Sequence, residues 1–470
     1  MSEFGDNNKQ SVSQVAKFVS LVNCANGRRS QPRVTSSSKK QNKKNRGTYA
    51  ELSKKLWKKI GPGFITGAAG NDPSGVATYS QTGAIFGYSQ LWLALFTFPF
   101  MIVIQQMCGR IGMVTGKGLA GVISAHYPKP VLYCAVTLLV IANTINIGAD
   151  LGAMAASAQM LLGLPFLFWL CLMTGFIIVL EVFVTYKAYS KILKYLALTL
   201  FAYVFTAFIV KLDWGIVVKN AVLPQIQFSK DYLLNIMAIL GTTISPYLFF
   251  WQTSEEVEEA IVEEKIPDIG VGTPAVSRKN VADMNWDIII GMFFSQAIMF
   301  FIIITAAATL HAKGITNIGT ASEAAEALRP VAGNLAYLLF ATGIIGTGLL
   351  AVPILAGSSA YTVAETTGMK AGLSKKPGRA PGFYGVIVTS TLIGMSISLL
   401  GINPIKALYY AAALNGIAAP ALMVLVILIA NNKDIMGKFV NKRISNMAGW
   451  VIVLVMAIVA ILFIIDMLKG

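Results

Sequence analysis

Long apolar runs, separated by short polar and mostly basic turns, repeat along nearly the whole chain. Eleven of them fall at about 57–88, 90–113, 130–160, 165–186, 190–211, 231–262, 285–311, 334–366, 382–402, 405–430 and 447–468. Each holds roughly 20 residues or more, enough to cross about 30 Å of hydrocarbon as a helix. The period-two alternation of a membrane β-barrel is missing. The pattern predicts an all-α integral membrane protein with 11 transmembrane helices.

Two of the runs are interrupted. The first contains GAAGNDPSGVATYSQTGA at 67–84, which places Asp72-Pro73-Ser74-Gly75 where an unbroken span would be apolar. Residues 57–71 make a half-helix of about 22 Å, which ends near the bilayer midplane. Pro73 has no N–H to donate and Gly75 resists helix, so the chain breaks there. A second half-helix restarts at Pro73 with Asp72 as its N-cap. The sixth run, ILGTTISPYLFFWQTSEEVEEA at 239–260, repeats the device with Ser245 as the capping residue before Pro246. Each break opens a block of five spans, and the two broken helices enter from opposite sides. The expected organisation is therefore a 5+5 inverted repeat, 57–211 and 212–430, followed by a loop and eleventh helix over 431–470.

Paired discontinuous helices in inverted repeats mark the binding site of a transporter. Unwound backbone at that depth has to be shielded by protein or water, so both breaks belong in a cavity. The first half of each broken helix ends there with unpaired carbonyls and a negative dipole end. With the Asp72 carboxylate added, the cavity favours a cation. An ionised Asp at the bilayer centre costs about 2.5–3.5 kcal/mol on insertion scales, which weighs toward a function beyond capping.

Charge orients the spans. The 470 residues are 55% hydrophobic and 13% charged, with a net charge of +16. With the N-terminus inside and eleven alternating spans, 31 of the 38 Lys and Arg residues fall on the cytoplasmic side. One missed span would scramble that bias, so it supports the count as well as the orientation. It puts the N-terminus in the cytoplasm and the C-terminus outside, in a plasma membrane. Residues 1–56 are polar and basic with no cleavable signal pattern, and read as a largely disordered cytoplasmic region. Val12, Val15, Val19 and Val22 give only a faint interfacial-helix pattern. Anionic lipid is the natural partner of this charge, and no basic and aromatic stripe points to nucleic acid. No obligate protein partner is evident.

Other chemistry is sparse. Cys24, Cys108, Cys134 and Cys171 are scattered without a CxxC, and His126 and His311 lie far apart near span ends. Neither set reads as a metal site or disulfide framework. No HExxH, paired-aspartate or GxSxG pattern occurs, so no enzyme activity and no cofactor are expected.

GPGFITGAAGNDPSGVAT, at 61–78, resembles the first-helix motif of the Nramp divalent-metal transporters, whose hallmark is Asp-Pro-Gly-Asn. The resemblance covers nearly all of 57–430, through Pro246, IGADLGAM at 147–154 and GTGLLAVPILAGSSA at 346–360. It implies a LeuT-like fold, with ten helices in two inverted repeats plus an eleventh and helices 1 and 6 broken at the midplane. It also implies metal uptake by alternating access, with Asp72, Gly75, Thr242 and Ser245 at the metal. Asn71, Tyr247, Asn146, Asp150 and Asn415 are implied for the outer shell or the pathway.

The departures from the family motif carry chemistry. The motif Asn is Gly75 here, and the helix-6 Met-Pro-His is Ser245-Pro246-Tyr247. The helix-6 alanine corresponds to Thr242. Of the helix-3 Asp and Glu on the proton route, Asp150 remains and the Glu position is Ala153. A Met thioether favours Mn²⁺ and Fe²⁺ over hard alkaline earths, and Ser245 removes it. Gly75 and Ser245 are also short, which is expected to leave room for water, and Mg²⁺ keeps several of its waters. The chain is most similar to the Nramp-related magnesium transporters. The expected cargo is partly hydrated Mg²⁺, with Mn²⁺ also accepted, and without proton coupling. The alternatives are a proton-coupled Mn²⁺/Fe²⁺ transporter of Nramp type and an amino-acid symporter of the same fold. Asp72 would repel the carboxylate of an amino acid.

Three further groups have plainer readings. Glu255, Glu256, Glu258, Glu259, Glu263 and Glu264 read as a solvated helix end, about 15 Å from Ser245 at the nearest. Asn143 and Asn146 read as interhelical hydrogen-bonding residues on the face that carries Asp150. Gly343, Gly346 and Gly348 read as close helix packing.

Overall fold

The computed structural model describes residues 61–184, 200–210, 212–227 and 229–469. The basic N-terminal region, the start of the first expected span and the first half of the fifth lie outside the described residues. Within the described residues every regular element is helical. The first broken span is α1 (Pro62–Ala69) and α2 (Pro73–Phe86), followed by α3 (Trp92–Phe96), α4 (Phe98–Thr115) and the short α5 (Leu119–His126). Then come α6 (Lys129–Leu162), α7 (Phe166–Phe183), α8 (Phe201–Ile209) and α9 (Trp214–Val222). The second broken span is α10 (Lys230–Thr243) and α11 (Pro246–Val262), and α12 (Arg278–Thr309) follows. The short α13 (Ala321–Ala325) and α14 (Arg329–Ala332) precede α15 (Ala336–Thr367) and α16 (Pro381–Ser398). The chain ends in α17 (Pro404–Asn431), α18 (Lys433–Met436) and α19 (Arg443–Lys469).

Nine stretches among the described residues are long and apolar enough to cross a membrane. The other two expected spans are the first, which its break divides into two short helices, and the fifth, described only from residue 200 onward. The apolar side chains left exposed, such as Phe168, Phe176, Phe205 and Leu454, face outward as lipid-facing residues do. α4 and α15 end at Gly116 and Gly368, which take the left-handed backbone (φ 64° and 74°) that a side chain would strain.

Small residues bring the helices close. A Cβ on Gly67 would lie 2.2 Å from the Gly291 carbonyl oxygen, and one on Gly83 would lie 2.4 Å from that of Ile303. Thus α1 and α2 run parallel to α12 and almost touch it. Gly241 and Gly416 join α10 to α17 in the same way, and Gly148 joins α6 to α16. In lipid, van der Waals contact of this kind drives helix association. Gly348 fits the reading too, because a Cβ there would meet the Met154 sulfur at 2.3 Å. Gly343 does not, since nothing lies within 4 Å of it.

The two broken spans cross antiparallel. Ala69 meets Tyr247, Asp72 meets Thr242, and farther along Thr82 meets Asn235. The breaks therefore come together in the interior.

Candidate functional site

Asp72 sits at the restart of the first broken span, in extended conformation (φ −61°, ψ 172°), with Pro73 as the first residue of α2. Its Oδ1 accepts from the Gly75 N–H at 2.7 Å, so the N-cap inferred from the sequence is formed. Three more donors converge on the same carboxylate. Ser74 Oγ donates to Oδ1 at 2.6 Å, Asn146 Nδ2 to Oδ2 at 3.1 Å, and Thr242 Oγ1 reaches Oδ1 at 3.5 Å. Among the described residues no Lys or Arg forms an ion pair with it. Asp72 is 1% exposed, inside the bundle.

The second break is arranged differently from the first. Ser245 precedes Pro246, but its hydroxyl does not cap α11. It turns back and bonds the Gly241 and Thr242 carbonyls at 2.5 and 3.0 Å. The physical reason is that α10 ends with unpaired carbonyls in the interior, and Ser245 is the nearest donor to them. The Tyr247 hydroxyl serves the other broken helix, donating to the Ala69 carbonyl at 2.9 Å. Each break thus uses a residue of α10–α11 to satisfy helix-end carbonyls that lipid could not.

Gly75 is buried and close to Thr242. A Cβ on Gly75 would lie 3.0 Å from Thr242 Oγ1 and 3.3 Å from the Tyr79 ring. The room for water expected beside Gly75 is therefore taken up in this conformation by the Thr242 hydroxyl and Tyr79.

The remaining candidates surround this junction. Asn71 Nδ2 donates to Ser295 Oγ at 3.2 Å and leaves its Oδ1 without a partner. Asn146 Oδ1 is likewise unpartnered. Asp150, one helical turn from Asn146, is fully buried and within electrostatic reach of Asp72, with the Ser74 N–H as the backbone group that faces its carboxylate. Asn415 is buried with both amide atoms unpartnered, beside the Gly416–Gly241 crossing. Asn143 behaves as the interhelical residue expected, donating to Leu355 O, Ser358 Oγ and Ser359 Oγ of α15. Its neighbour Asn146 instead holds Asp72.

Buried oxygens without partners are costly in a structure unless something else satisfies them. Here those of Asn71, Asn146 and Asn415 belong to the segments that carry or flank the Asp72 carboxylate, and none of these side chains contains sulfur. Such a set suits a hard cation and the water around it. Two contributors escaped the sequence reading. Ser74 lay within the quoted motif, where its distance of two residues from Asp72 was the available signal. Ser295 had none.

Other expectations are corrected or resolved. Glu255, Glu256 and Glu258 are not a solvated helix end, being only 1%, 6% and 2% exposed. They lie where α11 packs on α4 and α15, and Glu258 accepts from the Tyr361 hydroxyl at 2.7 Å and the Leu373 N–H at 2.9 Å. Glu259, Glu263 and Glu264 are exposed as expected. His126 and His311 each bond a backbone carbonyl, of Val122 and Ala84. Cys108, Cys134 and Cys171 are free thiols.

An all-helical bundle in which two interrupted helices cross at a buried carboxylate has the architecture of a LeuT-fold membrane transporter. Within that class, the chain belongs to the Nramp family: the profile described as natural resistance-associated macrophage protein-like matches residues 63–466. It is 27% identical to the divalent metal cation transporter MntH of Deinococcus radiodurans, over 84% of this chain and 87% of that one. It is 28% identical to the MntH of Chromohalobacter salexigens, over 84% and 88%. Among solved structures it is similar in fold to a manganese transporter of Eremococcus coleocola, with a TM-score of 0.68 at 17% identity over 85% of each chain. It also shares the fold of Mhp1, a nucleobase-cation-symport-1 family transporter, with a TM-score of 0.55 at 14% identity over 87% and 89%.

Proposed function

We propose that the chain carries divalent cations across the membrane by alternating access, with Asp72 as the charged ligand. Mg²⁺ is the principal cargo, partly hydrated, and Mn²⁺ is also accepted. The observation that carries the reading is the junction of the two breaks. It gathers one carboxylate, the Thr242 hydroxyl and unpartnered amide oxygens, with Ser245 where the family motif has a thioether. Hard oxygen donors without sulfur favour Mg²⁺ over its softer competitors. The MntH relatives are named as divalent metal cation transporters, which supports the coarser part of the reading. The finer part places the chain with the Nramp-related magnesium transporters.

The metal set in this reading is Asp72, Gly75, Thr242 and Ser245, with Asp72 and Thr242 supplying side-chain oxygens and Gly75 and Ser245 shaping the backbone at the two breaks. Asn71, Tyr247, Asn146, Asp150 and Asn415 form the outer shell and pathway. The two halves, 57–211 and 212–430, act as inverted repeats, with 431–470 appended. The protein resides in the plasma membrane with its N-terminus in the cytoplasm and its C-terminus outside, following the basic-residue bias.

One observation favours a second reading, proton-coupled Mn²⁺ or Fe²⁺ transport. Asp150 keeps a second buried carboxylate near Asp72, a group able to hold a proton. Uptake into proteoliposomes under a fixed membrane potential tests the choice, comparing Mg²⁺, Mn²⁺ and Ca²⁺ in wild type and Asp72→Ala. Potential-driven Mg²⁺ and Mn²⁺ uptake that Asp72→Ala abolishes is expected. Transport of Mn²⁺ without Mg²⁺, or full uptake by a folded Asp72→Ala protein, would overturn the reading.

A further inference from the structure

A cavity of about 300 Å³ opens beyond the Asp72 junction, on the side proposed above to face outward. Ala77 and Gln81 line it from one face of α2, and Asp231 from the first turn of α10. Asn317, in the segment between α12 and α13, and Lys406 and Tyr409 of α17 add polar groups to a wall that also carries Ile85, Leu234, Ile318 and Ile405. Gln81 Oε1 accepts from the Ile318 N–H at 3.0 Å, which ties the 310–320 segment to α2 and fixes that wall. A carbonyl oxygen has a second lone pair, so Gln81 can accept again.

Tyr409 joins the cavity wall to a hydrogen-bonded layer. The Tyr409 hydroxyl donates to Asn235 Oδ1 at 3.1 Å, and Asn235 Nδ2 donates to Thr82 Oγ1 at 2.9 Å and to Gln90 Oε1. Gln90 in turn donates to the Tyr232 carbonyl at 3.3 Å. The layer links α2, the turn after it, α10 and α17, the segments that enclose the path to Asp72. Asn235 and Thr242 stand seven residues apart on one face of α10, about 10 Å along its axis. Between α10 and α17 along this stretch sits a cluster of Ala238, Ala412 and Ala413, with Leu234 and Tyr409 packed against it.

We propose that this cavity is an entry site for a hydrated divalent cation, held through its water by Asp231, Gln81 and Asn317, and that Tyr409 closes the path from it to Asp72. The proposal rests on the divalent-cation reading above. The size fits: six waters at about 30 Å³ each fill roughly 180 Å³, less than the cavity holds. The chemistry fits as well. Water bound to a divalent cation presents hydrogens outward, so an outer-shell site needs acceptors, and a carboxylate, two amide oxygens and a phenol oxygen supply them. Asp231 lies within electrostatic reach of the Tyr409 hydroxyl, so the attracting charge and the closing residue are neighbours. Lys406 is exposed on the first turn of α17 and opposes the cation. The site thus carries one attracting and one repelling charge, with opposite predicted effects.

Kinetics of Mg²⁺ uptake into proteoliposomes, at low and high ionic strength, test the entry site. Asp231→Asn should raise KM by about three- to ten-fold, more than it changes Vmax, and salt should shrink the effect. Lys406→Gln should lower KM. For the closing role, Ala238→Cys is labelled by a small thiol reagent in a background where Cys24, Cys108, Cys134 and Cys171 are replaced by Ala. Tyr409→Phe, which removes only the hydroxyl, should speed that labelling about ten-fold. Unchanged KM in an active Asp231→Asn protein, or shifts of the same sign for both charge variants, would overturn the entry site. Unchanged labelling would overturn the role of Tyr409. A wild type that carries none of the ions would instead overturn the divalent-cation reading, and this proposal with it.

Discussion

At the scale of single residues, the contact that most restricts the site is Thr242 against Gly75. The Thr242 hydroxyl occupies the space a side chain at 75 would need and at the same time reaches the Asp72 carboxylate. The two positions are therefore coupled by volume. Gly75→Asn alone forces a side chain into a filled space, and overpacking of this kind costs about 1–3 kcal/mol. Thr242→Ala alone removes a donor that faces Asp72. Together they exchange one polar group for another in the same place, so the double variant should be more stable than Gly75→Asn alone. Thermal unfolding of the four proteins in one detergent checks this; additive losses would mean the positions do not share space. The sequence made the Asp72 cap legible, because a capping acid before Pro73 has a local geometry that composition dictates. It could not show that Thr242 fills the place left by Gly75. That contact joins residues 167 positions apart and depends on how the broken helices cross. The role of Ser245 was misjudged for a related reason. A serine before proline normally caps the helix ahead, whereas here the unpaired carbonyls behind it have the stronger claim.

At the scale of elements, the helices themselves were mostly legible, since hydrophobic length and proline breaks are local signals. The burial of the acidic end of α11 was not. Read alone, Glu255, Glu256 and Glu258 look like a solvated terminus, but α4, α15 and the segment 369–380 cover them. That segment is held across the end of α11 at three points. Glu258 Oε1 accepts from the Leu373 N–H at 2.9 Å, the Lys375 ammonium meets Asp268 at 2.6 Å, and the Tyr384 hydroxyl donates to the Lys375 carbonyl at 2.8 Å. The Lys375–Asp268 pair is partly exposed and contributes little by itself, typically under about 1 kcal/mol. Glu258 is the stronger anchor, because removing it strands the buried Tyr361 hydroxyl as a donor, at about 1–3 kcal/mol, and leaves the Leu373 N–H only its longer bond to that hydroxyl at 3.2 Å. Glu258→Ala should therefore speed amide hydrogen exchange in 369–380 by about ten-fold or more, while Lys375→Met changes it much less. Hydrogen exchange with mass spectrometry reads both. Equal effects from the two substitutions would mean that Glu258 is not the anchor.

At the scale of the whole molecule, the question is what drives the cation. Two positive charges moving down the membrane potential gain about 4.6 kcal/mol per 100 mV, enough to concentrate the ion more than a thousand-fold without a second coupled ion. Proton coupling would need a group that changes protonation as the cation binds and leaves. The helix-6 position where the family motif has His is Tyr247, whose hydroxyl is committed to the Ala69 carbonyl at 2.9 Å. The helix-3 position of the motif Glu is Ala153, which adds no charge. That leaves Asp150 as the nearest second acid, buried and flanked by the Asp72 carboxylate. If Asp150 keeps one protonation state through the cycle, cation entry is purely electrical. Proteoliposomes holding a pH dye should then show Mg²⁺ uptake that scales with an imposed potassium-diffusion potential and no acidification above the leak. Asp150→Asn should leave the number of charges moved per Mg²⁺ at two. If protons enter with Mg²⁺ in wild type, and Asp150→Asn removes that entry while uptake continues, Asp150 carries the proton and the transport is coupled.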